Sequence, residues 1–365
     1  MPMDSLLSIV SFLIVLGLLV FIHELGHFVA AKRAGVRVEE FGFGFPPRLL
    51  GVRRGETEYT INLIPLGGFV RMLGEEDPHE PRSFARASKR WRSLILLAGP
   101  GMNLVLAVLL FAGGYMAGWP TATATQVVVV NVIEASPAAS AGVRAGDVIL
   151  RLGDRSITDT NTLREQTAAL LGQETTMTVY RDGGEIALAI TPSVERHEQN
   201  AGALGVTIQN RPVRIEPVAY PVGEALWLGA QRVGDMVLFT LAAPAMIVRG
   251  LIPAEVARPV GPVGIFDVTS QAALETVATG WWFPILYVVA ALSVGLGVAN
   301  LLPIPGLDGG RLLFIAIEAV RGRRVSPQLE GLIHMVGVAV LLTLVVVISY
   351  YDLTVPLPEL EWGLR

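Results

Sequence analysis

Cysteine is absent from the chain, so disulfides and thiolate metal ligands are excluded together, and any metal must be held by histidine and carboxylate. Charge is scarce as well: Asp, Glu, Lys and Arg make up 16% of the 365 residues, against about 25% in ordinary soluble domains. The formal net charge of -4 and the lack of any long one-sided basic stripe leave no footprint for nucleic acid. What fills the chain instead is apolar. Hydrophobic residues reach 52% and the mean hydropathy is +0.54, which suits a lipid bilayer rather than water.

Four runs, at 6–31, 94–119, 283–302 and 331–350, are long enough to cross a bilayer. Only Asp4 precedes the first, whereas Lys32, Arg33, Arg37, Arg48, Arg71, Arg82 and Lys89 follow it, together with further arginines. The positive-inside rule therefore predicts an N-terminus outside and a cytoplasmic 32–92 loop. The first run has no basic residue before it, and cleavage would remove the motif described below, so it reads as a retained helix and not a signal peptide. A fifth apolar run at 222–251 carries Glu224, Arg232, Asp235 and Arg249. A crossing there would reverse the direction of the 283–302 run, so 222–251 is expected to lie along the outer interface as an amphipathic helix.

The fold class expected is a polytopic α-helical membrane protein with four transmembrane helices, a re-entrant β-loop on the cytoplasmic side and an inserted extracytoplasmic domain. The boundaries read as a first transmembrane helix at 1–33, a cytoplasmic loop with the β-hairpin at 34–92, and a second transmembrane helix at 93–120. The inserted domain occupies 121–211 and the interfacial region 212–282, followed by a third transmembrane helix at 283–320 and a fourth, with the C-terminal tail, at 321–365. The β-loop is suggested by short apolar strands punctuated by glycine, Gly42-Phe43-Gly44-Phe45 and Gly67-Gly68-Phe69-Val70-Arg71-Met72 among them. Irregular backbone at membrane depth is tolerated where it is buried in protein or lines a cavity, and an edge of this sheet could pair with an unwound substrate segment. A simple surface hairpin is the alternative.

Within the inserted domain, β-branched strands and turns replace the apolar runs. A strand is expected at 125–132, a helix at 162–171 capped by Asp159 or Thr160, and a hairpin of 175–181 and 185–191. The pattern resembles a PDZ domain in the permuted form of bacterial membrane-associated proteases, most specifically in the stretch AGVRAGDVIL ending at Leu150. Such modules bind extended peptides by adding a strand to a sheet edge, so a peptide ligand is implied. A rigid spacer or gate with no ligand is the other reading.

The most specific feature is His23-Glu24-Leu25-Gly26-His27 within the first run. On a helix His23 and His27 share a face and can grip one metal, with Glu24 beside them as a base. Catalytic zinc takes three protein ligands and a water, so a third donor is needed. His79 and His197 sit in polar loops, and His334 stands alone in the last run. Asp308 is the better candidate, in Asn300-Leu301-Leu302-Pro303-Ile304-Pro305-Gly306-Leu307-Asp308-Gly309-Gly310, where two prolines end a span and a carboxylate follows near the membrane boundary.

HELGH, the PDZ-like insertion and NLLPIPGLDGG, in that order along nearly the whole chain, resemble the site-2 protease family of intramembrane zinc metalloproteases, in its regulator-of-sigma-E branch. The resemblance implies Zn2+ bound by His23, His27 and Asp308, with Glu24 as general base and acid. It also implies substrate contacts by Asn300 and by Gly42, Phe43 and Gly44 of the β-loop. The implied setting is a bacterial plasma membrane, with the active site toward the cytoplasm. The implied substrates are single-span membrane proteins, of the anti-sigma-factor or remnant-signal-peptide kind, trimmed beforehand outside the membrane. Two departures bear on substrate handling: many relatives carry two PDZ modules, and an asparagine seen in some shortly before NLLPIP is Gly295 here. A catalytically inactive PDZ adaptor and a metal transporter are the rival readings; a structural zinc site would normally be closed by a fourth protein ligand, and a transporter does not account for the Glu24 spacing, the PDZ-like module or the β-loop.

Overall fold

The computed structural model describes residues 3–75, 80–194, 202–253 and 258–355, with 357, 358, 360 and 362; His79 and His197 lie outside them. The chain divides into two compact units, one of residues 1–119 and 219–361, the other of 120–218 and 362–365.

The first unit is a helical bundle. Its helices are α1 (Met3–Arg33), α2 (Lys89–Gly118), α5 (Val222–Val248), α6 (Pro262–Thr279), α7 (Phe283–Leu301), α8 (Asp308–Arg321) and α9 (Pro327–Thr354). Asp4 in the first turn of α1 and Lys32 and Arg33 in its last complement the helix dipole. Residues such as Ile14 on α1 and Val346 on α9 are exposed, so these helices are apolar on faces the protein does not cover, as expected where lipid is the solvent. Among the described residues, five helices are long and apolar enough to cross a membrane: α1, α2, α5, α7 and α9.

The fifth, α5, covers the 222–251 run expected to lie along the outer interface, and it packs against α2 and α7. A side chain at Gly229 would come within 2.8 Å of the Val108 carbonyl of α2, and Val233 is buried in a cluster with Phe111, Val294 and Val298. The charges that favoured the interface are partly absorbed inside this packing. Arg232 donates to the Tyr287 hydroxyl at 3.3 Å and lies 6.0 Å from the Trp119 ring. The end of α2 and the start of α7 nevertheless sit side by side, since Trp281 Nε1 donates to the Gly118 carbonyl at 2.9 Å. Tyr220 N–H, just before α5, donates to the Tyr115 carbonyl of α2 at 3.1 Å, so α5 begins at the end of the bundle where α7 begins.

Between α1 and α2 the chain forms a ribbon of β1 (Val38–Arg54) and β2 (Thr57–Met72). The first half of β1 has partners on both sides: Phe41 stands opposite Val70 and also Tyr59, and Gly42 opposite Phe69 and Thr60. The stretch 68–72 is therefore left as an edge. One turn of the ribbon is tied to the end of α1 through Glu56, which accepts from Lys32 and Arg82. Arg82 and Lys32 hold the Glu56 carboxyl down at about 2, so it stays ionised at any physiological pH. From there the ribbon runs along α1, with Phe41 against Phe28 and Phe21. Phe43 reaches Gly17, where a Cβ would lie 2.9 Å from its ring. Phe28 to Gly17 is about 16 Å of helix, so the ribbon follows α1 well into its apolar length.

The second unit is built on a sheet of strand order β7-β6-β4-β3-β8, with β5 paired to β4. Its strands are β3 (Trp119–Val132), β4 (Val148–Leu152), β5 (Arg155–Ser156), β6 (Thr175–Arg181), β7 (Gly184–Ile190) and β8 (Val206–Val218), and its helices α3 (Pro137–Ala141) and α4 (Thr160–Ala169). Asp159 caps α4 by accepting from Asn161 and Thr162 N–H at 2.8 Å each. Asp182 and Gly183 turn β6 into β7 with φ of 49° and 87°, the left-handed pair of a tight hairpin turn. The core is Val127, Ile149, Leu152, Leu163, Met177 and Val179 with their neighbours.

Asp147, from the motif before β4, is 1% exposed and accepts from Arg181 Nε and Nη at 2.6 Å each and from Arg144 N–H at 2.8 Å. Burial pushes its carboxyl up, but Arg181 and the Arg144 amide outweigh that and hold it below the usual carboxylate range. A depressed carboxylate contributes stability at neutral pH that is lost as pH falls through the acid range. Asp147→Asn leaves Arg181 without its counter-charge and is expected to destabilise this unit by about 3 kcal/mol at pH 7. Faster hydrogen exchange of the β4 and β6 amides in the full-length variant checks it, and the difference from wild type should shrink toward pH 3.

Candidate metal centre and its cavity

On α1, His23 and His27 lie one turn apart, and their Nε2 atoms approach to 3.1 Å. Asp308 opens α8, and its Oδ2 is 3.2 Å from His23 Nε2 and 3.3 Å from His27 Nε2. The two histidines are buried, and Asp308 is partly so.

His27 Nδ1 is 2.8 Å from the Ile95 carbonyl, which can only accept, so Nδ1 carries the proton and Nε2 of the neutral ring does not. His23 Nδ1 faces the Asn103 side-chain amide at 3.3 Å, and Asn103 Oδ1 is a buried atom with no hydrogen-bond partner. Amide nitrogen and oxygen are interchangeable by rotation. With Oδ1 toward His23 that orphan is satisfied, and His23 also carries its proton on Nδ1. Three lone-pair-bearing atoms then converge, and Asp308 Oδ2 is likewise buried without a hydrogen-bond partner.

Such a triangle repels itself unless a cation sits among the donors. Zinc bonds of about 2.0–2.1 Å at tetrahedral angles set adjacent donors about 3.3–3.4 Å apart, close to the 3.1–3.3 Å found. The donor set therefore fits zinc, with the Ile95 carbonyl and Asn103 orienting the rings from behind.

Close packing around glycine makes the convergence possible. A Cβ at Gly26 would lie 2.2 Å from the Ala98 carbonyl, and one at Gly99 2.2 Å from His27 Nε2, so α1 and α2 meet backbone to backbone beside the donors. Pro303 and Pro305 follow the end of α7, and the chain folds back so tightly that a Cβ at Gly309 would strike the Leu302 carbonyl at 2.1 Å. On α9, Gly337 leaves room for the Pro305 carbonyl, and His334 Nδ1 accepts from Gly306 N–H at 2.9 Å.

The triangle opens on a cavity of about 320 Å³ whose lining includes Glu24, Asn300 and Arg311, with Phe69, Val70 and Met72 from the β2 edge. Val70 presents its backbone N–H to the Glu24 carboxylate. Asn300 spends one amide hydrogen on the Leu296 carbonyl at 3.0 Å. Gly42, Phe43 and Gly44 do not line this cavity. They belong to the next strand in, and the reason is register: β1 is covered on its cavity side by 68–72, with Gly42 opposite Phe69 and Phe43 opposite Gly68. Asn103, Gly99 and Arg311 escaped the sequence reading. A buried amide and a Gly-Pro pair inside an apolar run were the available signals for the first two.

The sequence profile described as Peptidase family M50 matches residues 11–344. Among curated proteins, the chain is similar to the zinc metalloprotease RasP of Oceanobacillus iheyensis, 31% identical over 95% of this chain and 98% of that protein. It is also similar to RasP of Geobacillus kaustophilus, 30% identical over 96% and 98% respectively.

Asn103→Leu, which removes the partner of His23 Nδ1, is expected to weaken zinc affinity by about 10- to 100-fold. Gly99→Ala should weaken it at least as much, because the added methyl falls on His27 Nε2. Competition with a zinc chelator, read as metal retained per chain, measures both.

Proposed function

The chain belongs to peptidase family M50, the site-2 zinc metalloproteases, and from that premise we propose that it cuts single-span membrane proteins within their transmembrane segment. The observation that carries this reading is the triangle of His23, His27 and Asp308 opening on one cavity with Glu24, at the depth of an apolar helix.

In this reading His23, His27 and Asp308 hold zinc, which when bound supplies Lewis-acid polarisation of a water and of the scissile carbonyl. Glu24 takes a proton from the attacking water as its oxygen bonds to the carbonyl carbon. The same carboxyl then delivers the proton to the leaving nitrogen as the C–N bond breaks. A neutral peptide group becomes one carboxyl and one amine terminus. Val70 N–H, turned to Glu24, keeps that carboxylate aimed into the cavity.

A transmembrane helix must unwind before its peptide bonds can be reached, and the freed backbone groups then need partners. The β2 edge at 68–72 supplies them by strand addition. Gly67 and Gly68 carry no side chain to fend off the incoming strand, and a Cβ at Gly68 would already lie 3.4 Å from Glu24 Cγ. Gly42, Phe43 and Gly44 support this edge from behind, with Phe43 seated at Gly17. The Asn300 carbonyl oxygen is available to a substrate N–H.

Four helices cross, α1, α2, α7 and α9, while α5 and α6 enter and return on one face. The N-terminus is outside and the metal lies toward the cytoplasm of a bacterial plasma membrane, by the basic residues of 32–92. The second unit is a PDZ-like module outside the membrane; its capped α4, its β6–β7 hairpin and the AGVRAGDVIL turn support that reading. It screens bulky extracytoplasmic domains or binds the tail left by an earlier cut, so trimmed substrates are favoured.

Glu24→Gln is expected to keep zinc and to lose about 10²- to 10⁴-fold in cleavage of a tagged single-span substrate in liposomes; undiminished cleavage would remove Glu24 from the mechanism. With the wild-type protein, a substrate trimmed to a short outer tail should be cut faster than its full-length parent, by the initial rates of the two. Equal rates would count against screening by the second unit.

A further inference from the structure

The cavity has one permanently cationic side chain among the described residues that line it, Arg311. It lies one helical turn after Asp308 and so shares its face of α8. One Nη of Arg311 donates to Glu75 Oε2 at 2.9 Å. That single bond uses little of a guanidinium able to engage a carboxylate as a two-pronged fork. Glu75 in turn accepts weakly from Met72 N–H, at 3.4 Å, at the end of the β2 edge.

Arg311 and Glu75 also line a second cavity, of about 130 Å³, with Arg92, Glu318, Arg324 and His334. The ion pair is thus a partition between the metal cavity and a polar one. Both of its side chains are partly exposed, at 41% and 27%, which marks a pair free to exchange partners rather than a sealed brace.

Peptide hydrolysis creates a carboxylate on the N-terminal fragment, in a cavity already holding the acidic Glu24 and Asp308. A new anion leaving the metal for that acidic surrounding is costly without a second cation to meet it. We propose that Arg311 is the product-carboxylate site of this protein: it exchanges Glu75 for the fragment's new C-terminus and draws that end toward the second cavity. This rests on the protease reading above and adds to it a recognition element for a peptide ending in a free carboxylate.

The probe is a short apolar acetyl-peptide made in two forms, free carboxylate and carboxamide, used as an inhibitor of the full-length zinc-loaded protein in detergent. The measured quantity is the ratio of the two inhibition constants, with zinc content determined in parallel. Wild type is expected to favour the carboxylate, and Arg311→Gln to lower that preference by about tenfold at unchanged zinc content. Glu75→Gln removes the competing anion and is expected to raise the preference. A simple structural brace would instead make both variants lose activity alike and leave the ratio where it was.

An unchanged ratio in Arg311→Gln overturns the proposal. Should that variant lose zinc or fail to fold, Glu75→Gln decides, and a ratio unchanged or lowered there overturns it too. Wild-type protein that cleaves membrane substrates but is inhibited equally by both peptides defeats this inference alone. Wild-type protein that cleaves none defeats the protease reading instead.

Discussion

The structure turns on three acceptor atoms without protons, held within 3.3 Å of one another by groups that prevent them from moving apart. Left to themselves they would repel, and burial weakens the solvent screening that could relieve them. The Ile95 carbonyl fixes the tautomer of one imidazole, Asn103 stands behind the other, and the start of α8 brings up the carboxylate. Each of these partners is backbone or fully buried, so the protein itself bears the cost of convergence and a divalent cation repays it.

Much of the bundle serves to keep those positions exact to a few tenths of an ångström. Gly26 and Gly99 let α1 and α2 touch main chain to main chain, and Gly309, Gly310 and Gly337 let the loop between α7 and α8 coil tightly against α9. Association of helices in lipid draws little on hydrophobic burial and much on such close approach. Larger side chains at these places would separate the donors before they destabilised the helices.

Around this centre the protein keeps a cavity that is polar in a surrounding of apolar side chains. One wall is the β2 edge, another is the α7–α8 turn, and a third is the Arg311–Glu75 pair. A backbone edge recognises an extended chain without regard to sequence, which suits the proposed cleavage of a segment that must first lose its helix. The charged partition adds an element able to distinguish a finished product from an uncut chain.

The sequence alone determined the chemistry and the broad architecture. His23, Glu24 and His27 are local to one helix, and the 3.6-residue repeat brings the histidines to one face without help from the rest of the fold. Hydropathy likewise marked the long apolar helices, and turn chemistry marked Asp159 and the Asp182-Gly183 hairpin, because each depends on neighbours within a few residues. Asp308 was legible only as a carboxylate after two prolines; that it meets the histidines is a contact across 281 residues, and the fold alone decides it. The tertiary structure also decided what period and composition cannot encode: that α5 packs into the bundle, that 68–72 and not Gly42-Phe43-Gly44 faces the cavity, and that Asn103 and Arg311 belong to it. Register and helix contact are long-range properties, set by which surfaces fit, and a one-residue slip of a strand would exchange the residues that face the site for those that face away.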